Sequence, residues 1–283
     1  MIRRTIKTIA MLMALAVALT FDVAAQSREV RKTVDFVAGG ELKVHSDRGT
    51  VRLSGWDRNQ VEVFARISLP KWDTSRFNQA EVERAIEATR IDVLGDARSL
   101  TVRANFDDVP ETVDRLFGGR PLPEVHFEIR APRSLNLFLD IDRGKATLGG
   151  VEGRLDLTSD RSSLEASDLA GEIRLRMDRG SAIVSASRAR LNVHTDRSNT
   201  TFRAAQIAGD SSFDVSRGEV ELRIPPSQGL FVSANRGRRA EFETEFAITT
   251  RAFGADRIEG AINGGGPKLM IRTDRGKARL RQE

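Results

Sequence analysis

Apolar and polar residues alternate along this chain, and the alternation restarts at regular intervals. Each restart carries Asp-Arg-Gly or a close variant. With the Asp as position zero, positions −5 and −3 are apolar in nearly every unit: Leu42/Val44, Leu137/Leu139, Leu155/Leu157, Ile173/Leu175, Leu191/Val193, Leu269/Ile271. The residues between them, such as Lys43, Asp156 and Arg174, are polar. A period of two predicts a strand with one buried face. Beyond the triplet the phase resets, and positions +4 and +6 are apolar: Val51/Leu53, Ala146/Leu148, Leu164/Ala166, Ala182/Val184, Val220/Leu222, Ala278/Leu280.

The triplet stands at 47–49, 142–144, 178–180 and 274–276. Variants occur at Asp160-Arg161-Ser162, Asp196-Arg197-Ser198, Ser216-Arg217-Gly218 and Asn235-Arg236-Gly237. From Asp142 onward the steps are 18, 18, 18, 20, 19 and 39 residues, the last about two units. Asp can hydrogen-bond the backbone two residues on, and Gly takes positive φ, so the triplet reads as a bend between two short strands. One strand-bend-strand unit cannot bury its own apolar face, and neighbours must stack to make a core. The expected fold is all-β: a parallel β-solenoid, β-helix-like, built of roughly 18–20-residue repeats. An antiparallel meander folded into a sandwich is the alternative, but it gives no reason for the register to return at 18.

Residues about 70–132 break the pattern and read as an insertion. The segment 78–90 (NQAEVERAIEATR) suits a short amphipathic helix. Ile91–Val93 and Leu100–Val102, around Gly95-Asp96, suit a hairpin. A Pro- and Gly-rich loop fills 107–123, and a strand follows over 125–129. The last strand has no capping element after it, and Lys277, Arg279 and Arg281 are expected to alternate outward and guard it as a charged edge.

The start of the chain has a different character. Arg3, Arg4 and Lys7 precede an apolar run from about Ile9 to Leu19, and Val23-Ala24-Ala25 offers small residues for cleavage. This predicts a signal peptide over 1–25 and a single domain over 26–283, exported to the periplasm or to the cell surface and beyond, with no transmembrane segment in the mature chain. The sequence pI of about 10.0 invites a nucleic-acid partner. Without residues 1–25, however, 42 basic and 39 acidic residues remain, a net of +3. The charges are interspersed and tyrosine is absent, which argues against nucleic acid.

There is no cysteine, hence no disulfide and no thiolate metal site. His45 and His194 share repeat position −2 in distant units; with His126 they form no cluster in sequence. No Gly-x-Ser-x-Gly elbow occurs, and Gly264-Gly265-Gly266 lacks the Lys-Ser/Thr of a phosphate loop. No catalytic residue, cofactor or metal ligand is therefore expected, and the chain reads as non-enzymatic. The most suggestive repeated side chain is the arginine at +1. Arg143, Arg161, Arg179, Arg197, Arg217 and Arg236 would form a column about 5 Å apart in a stack, a possible grip for a polyanion. The competing expectation is that each arginine pairs diagonally with the aspartate of an adjacent unit.

The Gly-Gly-x-Leu-x-Val start at 39–44, the Gly55-Trp56-Asp57 run, the repeated triplets and the Ile-Asn-Gly-Gly-Gly-Pro run at 262–267 together resemble one group. It is the bacterial "putative adhesin" family with β-strand repeats, similar to head domains of autotransporter adhesins. The resemblance spans about residues 36 to 283. It implies an exported, β-helix-like protein and brings no catalytic residues; the chain itself reads as a non-enzymatic, adhesin-like module for surface or envelope interaction, its partner unnamed by the sequence, with cell-envelope polysaccharide and another protein as the candidates. The alternative on the same scaffold is a polysaccharide-binding protein or a carbohydrate-active enzyme.

Overall fold

A computed structural model describes residues 27–70, 77–110, 122–254 and 256–283. The segment 1–25, read above as a signal peptide, and most of the Pro/Gly-rich loop lie outside the described residues. The described residues are all-β with one helix. In order, the elements are β1 (Ser27–Asp35), β2 (Glu41–Trp56), β3 (Gln60–Ser68), α1 (Gln79–Ala88), β4 (Arg90–Gly95), β5 (Ser99–Asn105), β6 (Glu124–Pro132) and β7 (Asn136–Thr195). There follow β8 (Ser198–Ala204), β9 (Ser211–Val215), β10 (Gly218–Ile224), β11 (Leu230–Arg236), β12 (Glu241–Thr244), β13 (Thr249–Phe253), β14 (Arg257–Ile262), β15 (Lys268–Thr273) and β16 (Lys277–Gln282).

All sixteen strands join one hydrogen-bonded sheet that mixes parallel and antiparallel pairs. The middle is parallel and in register with the repeat: Gly180 pairs with Ser198, Val184 with Phe202, Val193 with Phe213 and Leu222 with Phe202. The flanks are antiparallel, at β1–β3–β6 and β4–β5 on one side and β11–β14–β13 on the other. An all-parallel arrangement therefore holds only in the middle. The long elements β2 and β7 carry two rows of pairing. The first half of β2 pairs with β5, and its second half with β6.

The 60-residue β7 would reach about 200 Å if straight. Positive-φ residues bend it instead. At Gly180 (φ 131) a Cβ would lie 1.9 Å from the Ser162 carbonyl oxygen, and at Gly144 (φ 136) 1.8 Å from that of Gly49. These bends need glycine both for φ and for the close approach of the neighbouring backbone. Gly276 does not share the positive φ, although its Cβ would still come within 2.7 Å of the Gly218 oxygen. The bends are tied by backbone bonds to adjacent units, such as Asp196 N–H to Met177 O and Ser216 N–H to Thr195 O. The carboxylates of Asp160, Asp178, Asp196 and Asp274 accept from arginine and not from their own turns.

The −5/−3 and +4/+6 positions form one continuous core, with Leu157, Leu175 and Val193 all buried. The insertion supplies the first cover of that core. Asn78 and Glu81 make a reciprocal capping box at the start of α1, which buries Val82, Ala85 and Ile86. Arg28 and Lys32 of β1 donate to the carbonyls of Thr89 and Ile91, tying the helix end and β4 to the first strand.

The expectation of a charged free edge at β16 is corrected. β16 lies between β10 and β12, parallel to both, with Ala278 and Leu280 fully buried. Lys277 meets Glu241 at 3.0 Å and Glu243 at 2.5 Å, and Arg281 meets Glu243 at 2.9 Å and Glu245 at 3.2 Å. Likewise β15 lies between β9 and β11. The last unit is thus interleaved between two units that precede it in sequence.

Leu175→Ala should cost about 2–5 kcal/mol in denaturant melts. Arg174→Ala, which removes an exposed contact to Glu172, should cost under about 1 kcal/mol. Equal losses would contradict the assigned faces. Replacing Lys277, Arg279 and Arg281 with threonine removes the ion-pair partners of Glu241 and Glu243 on β12 and leaves only its backbone pairing to β16. Hydrogen exchange should then show early loss of protection at Glu241–Thr244, with no change of oligomeric state; protection kept at β12 would contradict the ladder.

Candidate functional site: the bend column and an outer trough

The register places the +1 arginines along one edge, where each bend turns between the two rows. Arg161 and Arg179 each donate through Nε to the aspartate just before them, at 3.2 and 3.3 Å. Arg197 bridges its own Asp196 (3.1 Å) and the neighbouring Asp178 (3.1 Å). Arg217 forks onto Asp196 of the adjacent unit at 2.9 and 3.0 Å. Arg143 has the loosest of these pairs, 3.6 Å from Asp142. Arg236 ends β11. Pairing is therefore diagonal at Arg197 and Arg217 and local at Arg143, Arg161 and Arg179. The hydrogen bond from Arg217 holds the Asp196 carboxyl below the usual carboxylate range, and that from Arg161 does the same for Asp160. Arg217 is raised in return by Asp196.

A second feature joins this column at Arg143. On the outer face of the second row, β1, β3, β6, β2 and β7 lie side by side, and register sets their outward residues in lines across the strands. One line runs Arg31, Phe64, Glu128, Arg52, Thr147; the next runs Thr33, Glu62, Arg130, Ser54, Gly149. Where tall side chains of the insertion strand meet small ones of β2 and β7, an open trough of about 700 Å³ forms. Smaller depressions of about 260 and 470 Å³ continue it past Thr50 and His126 to Arg48, Arg143 and Lys145.

Ion pairing inside the trough is slack. Arg52 stands 3.6 Å from Glu128 and Arg130 3.7 Å from Glu62, both longer than a hydrogen bond. The Arg31 guanidinium rests on the Phe64 ring, 4.8 Å from its centroid. At the rim, Arg66 is held by Glu29 at 3.1 Å and Lys145 by Glu165 at 2.6 Å. The sequence could not reveal this feature, because it depends on which insertion strand lies beside β2.

The histidines stay apart from one another. His45 sits between Asp140 and Asp47, 3.1 Å from each, and His194 is 3.7 Å from Asp214. His126 Nδ1 is 3.0 Å from Thr50 Oγ1. Among the described residues no group of three or more His, Cys, Asp or Glu is placed to hold a metal ion. No described helix is long and apolar enough to cross a membrane.

No family model matches the chain, and no curated protein does. Among solved structures, it is similar to one described as a putative cell adhesion protein from Clostridium sporogenes. That protein is 12% identical over 91% of this chain and 100% of its own, with a TM-score of 0.37. A second, described as a putative adhesin from Bacteroides fragilis, is 9% identical over 90% of this chain and 97% of its own, with a TM-score of 0.41.

The depressed Asp196 gives a pH signature. A carboxyl with a lowered folded pKa adds stability above its unfolded value, about 3.9. That stability is lost as pH falls through the folded value. The carboxylate is half-buried and its arginine partner is exposed, so the contribution is modest and salt-sensitive. Between about pH 5 and pH 2 the thermal midpoint of Asp196→Asn should therefore fall less than that of the unaltered protein. Parallel acid profiles would show that the Arg217 fork contributes nothing.

Proposed function

We propose that the mature chain winds as a β-solenoid and acts as a non-enzymatic, exported, adhesin-like module that meets an envelope or surface partner with its outer faces. The observation that carries this reading is the stacking of like on like. Gly180 lies against Ser162, Gly171 against Gly153 and Gly144 against Gly49, while Ser198 pairs with both Gly180 and Gly218. Apart from Gly144 on Gly49, which spans the insertion, the offsets are 18 to 20 residues, as one turn of winding per repeat requires. A scaffold of this kind devotes its sequence to a long regular surface, since each unit contacts mainly its neighbours. The sequence resemblance to adhesin-type repeat proteins agrees with that use, and the signal-like segment at 1–25 agrees with export.

Winding can be tested with introduced cysteines, since the chain has none of its own. Ser181 and Asn199 are register partners on the outer face. The Ser181→Cys/Asn199→Cys pair should cross-link under mild oxidant, because neighbouring strands lie about 4.8 Å apart. Ser181→Cys/Glu219→Cys, one strand further away, should not. For function, the tagged mature chain should co-sediment with envelope fractions and release no new reducing ends from their polysaccharides. A soluble cytoplasmic distribution would sink the export and envelope reading, and steady release of reducing ends would sink the non-enzymatic one.

A further inference from the structure

We infer that the trough on the outer face of β1, β3, β6, β2 and β7 is a binding site for an acidic polysaccharide, a chain of sugars bearing carboxylates. This rests on the reading of the protein as an interaction module and names the ligand class of one face.

The first ground is donor chemistry. Along the bend column the guanidinium donors of Arg161, Arg179, Arg197 and Arg217 are engaged at hydrogen-bond distance. In the trough they are not: Arg52 and Arg130 stand off their glutamates, and Arg31 faces an aromatic ring. A planar guanidinium with open N–H groups takes a carboxylate through two parallel bonds. Three such groups lie on neighbouring strands, against two glutamates. An incoming carboxylate therefore need not break a formed hydrogen bond.

The second ground is shape. From Arg48 and Arg143 at the bend to Ser54 and Gly149, the trough follows the strands for roughly 20 Å, six residues at strand rise. Its floor is Thr50, Ser54, Thr147, Gly149 and Ser167: low, polar and rich in hydroxyls that can meet sugar hydroxyls. The aliphatic residues that border it, Leu53, Val63, Ile129 and Leu148, are buried beneath it, which leaves an acyl chain mainly the Phe64 ring. A peptide strand could add only at β1, the end of the sheet and the margin of the trough, because β3, β6 and β2 along its length are each paired on both sides and β-augmentation needs an open edge. A flexible acidic glycan suits both the length and the mixed lining. The trough also opens at Arg143, which stands 3.6 Å from its aspartate, so a long ligand can pass from the trough onto the bends.

The test uses the full mature chain and short oligogalacturonates as probe, followed by calorimetry at low and at physiological salt. Neutral maltooligosaccharides and polyphosphate of similar length serve as comparisons. Arg52→Gln/Arg130→Gln should weaken oligogalacturonate binding about tenfold or more. Arg52→Lys/Arg130→Lys, which keeps charge and loses the fork, should fall between this variant and the unaltered protein. Arg161→Gln/Arg179→Gln on the bend column should leave binding within about twofold. Thermal melts should coincide for all variants, as these side chains are exposed; if the glutamine pair melts lower, the lysine pair carries the comparison. Equal losses from trough and column variants would overturn the location. Polyphosphate bound as tightly as oligogalacturonate would overturn the carboxylate class. Absence of oligogalacturonate binding, with envelope co-sedimentation intact, would overturn the glycan site alone; loss of both would take the parent reading with it.

Discussion

Everything in this molecule depends on backbones meeting closely in parallel at the bends. Strands at like positions can pair only if each bend lets its neighbour approach within hydrogen-bond distance, and a Cβ at Gly144 or Gly180 would occupy the space of a carbonyl oxygen. The bend therefore sets the register. The register in turn puts Leu157, Leu175 and Val193 in one core and leaves their neighbours outside. A slip by one residue would turn every apolar side chain of a strand to solvent. Residue types recur every 18 to 20 positions because they occupy the same place in the same contact, and chemistry has little to do with it.

The same constraint sorts the charges. Registered strands bring like residues side by side, and a column of aspartates or of arginines alone would repel itself. Placing Asp and Arg in adjacent columns makes a seam that neutralises itself, through local pairs at Arg161 and Arg179 and diagonal ones at Arg197 and Arg217. The local pairs are exposed and weak by themselves, and the Arg217–Asp196 fork is half-buried. Their joint effect is to hold donors and acceptors busy along that edge. Where the repeat is interrupted and β6 takes the place of a regular neighbour, the seam's matching is lost, and the slack arginines of the trough follow from that.

Strands, bends and core faces were legible because period-two patterning and glycine chemistry are local. The helix and hairpin of the insertion were legible for the same reason: Asn78 and Glu81 signal a cap, and Asp96 holds the hairpin turn by accepting from the N–H groups of Arg98 and Ser99. What the chain does not announce is who stands next to whom once sequence neighbours cease to be neighbours in space. Nothing in Lys277, Arg279 and Arg281 tells that Glu243 lies beside them; the alternation alone reads as a free edge. The 39-residue step before Asp274 marks an irregularity without saying that the last unit turns back between two others. The trough needed the same missing knowledge, namely that Glu128 and Arg130 lie beside Arg52 and Ser54.

That turned-back unit bears on how the protein comes to exist. Strands β11 and β12 emerge before β15 and β16 but end up beyond them, so they cannot settle against β9 and β10 without excluding the residues still to come. The C-terminal half-unit has to arrive before the stack can close, and its contacts span tens of residues, a type of pairing that forms slowly. An N-terminally growing or threading chain would thus stay open at its far end until its last strand is available. A lock whose key is the final segment keeps the stack from sealing before the whole chain is available.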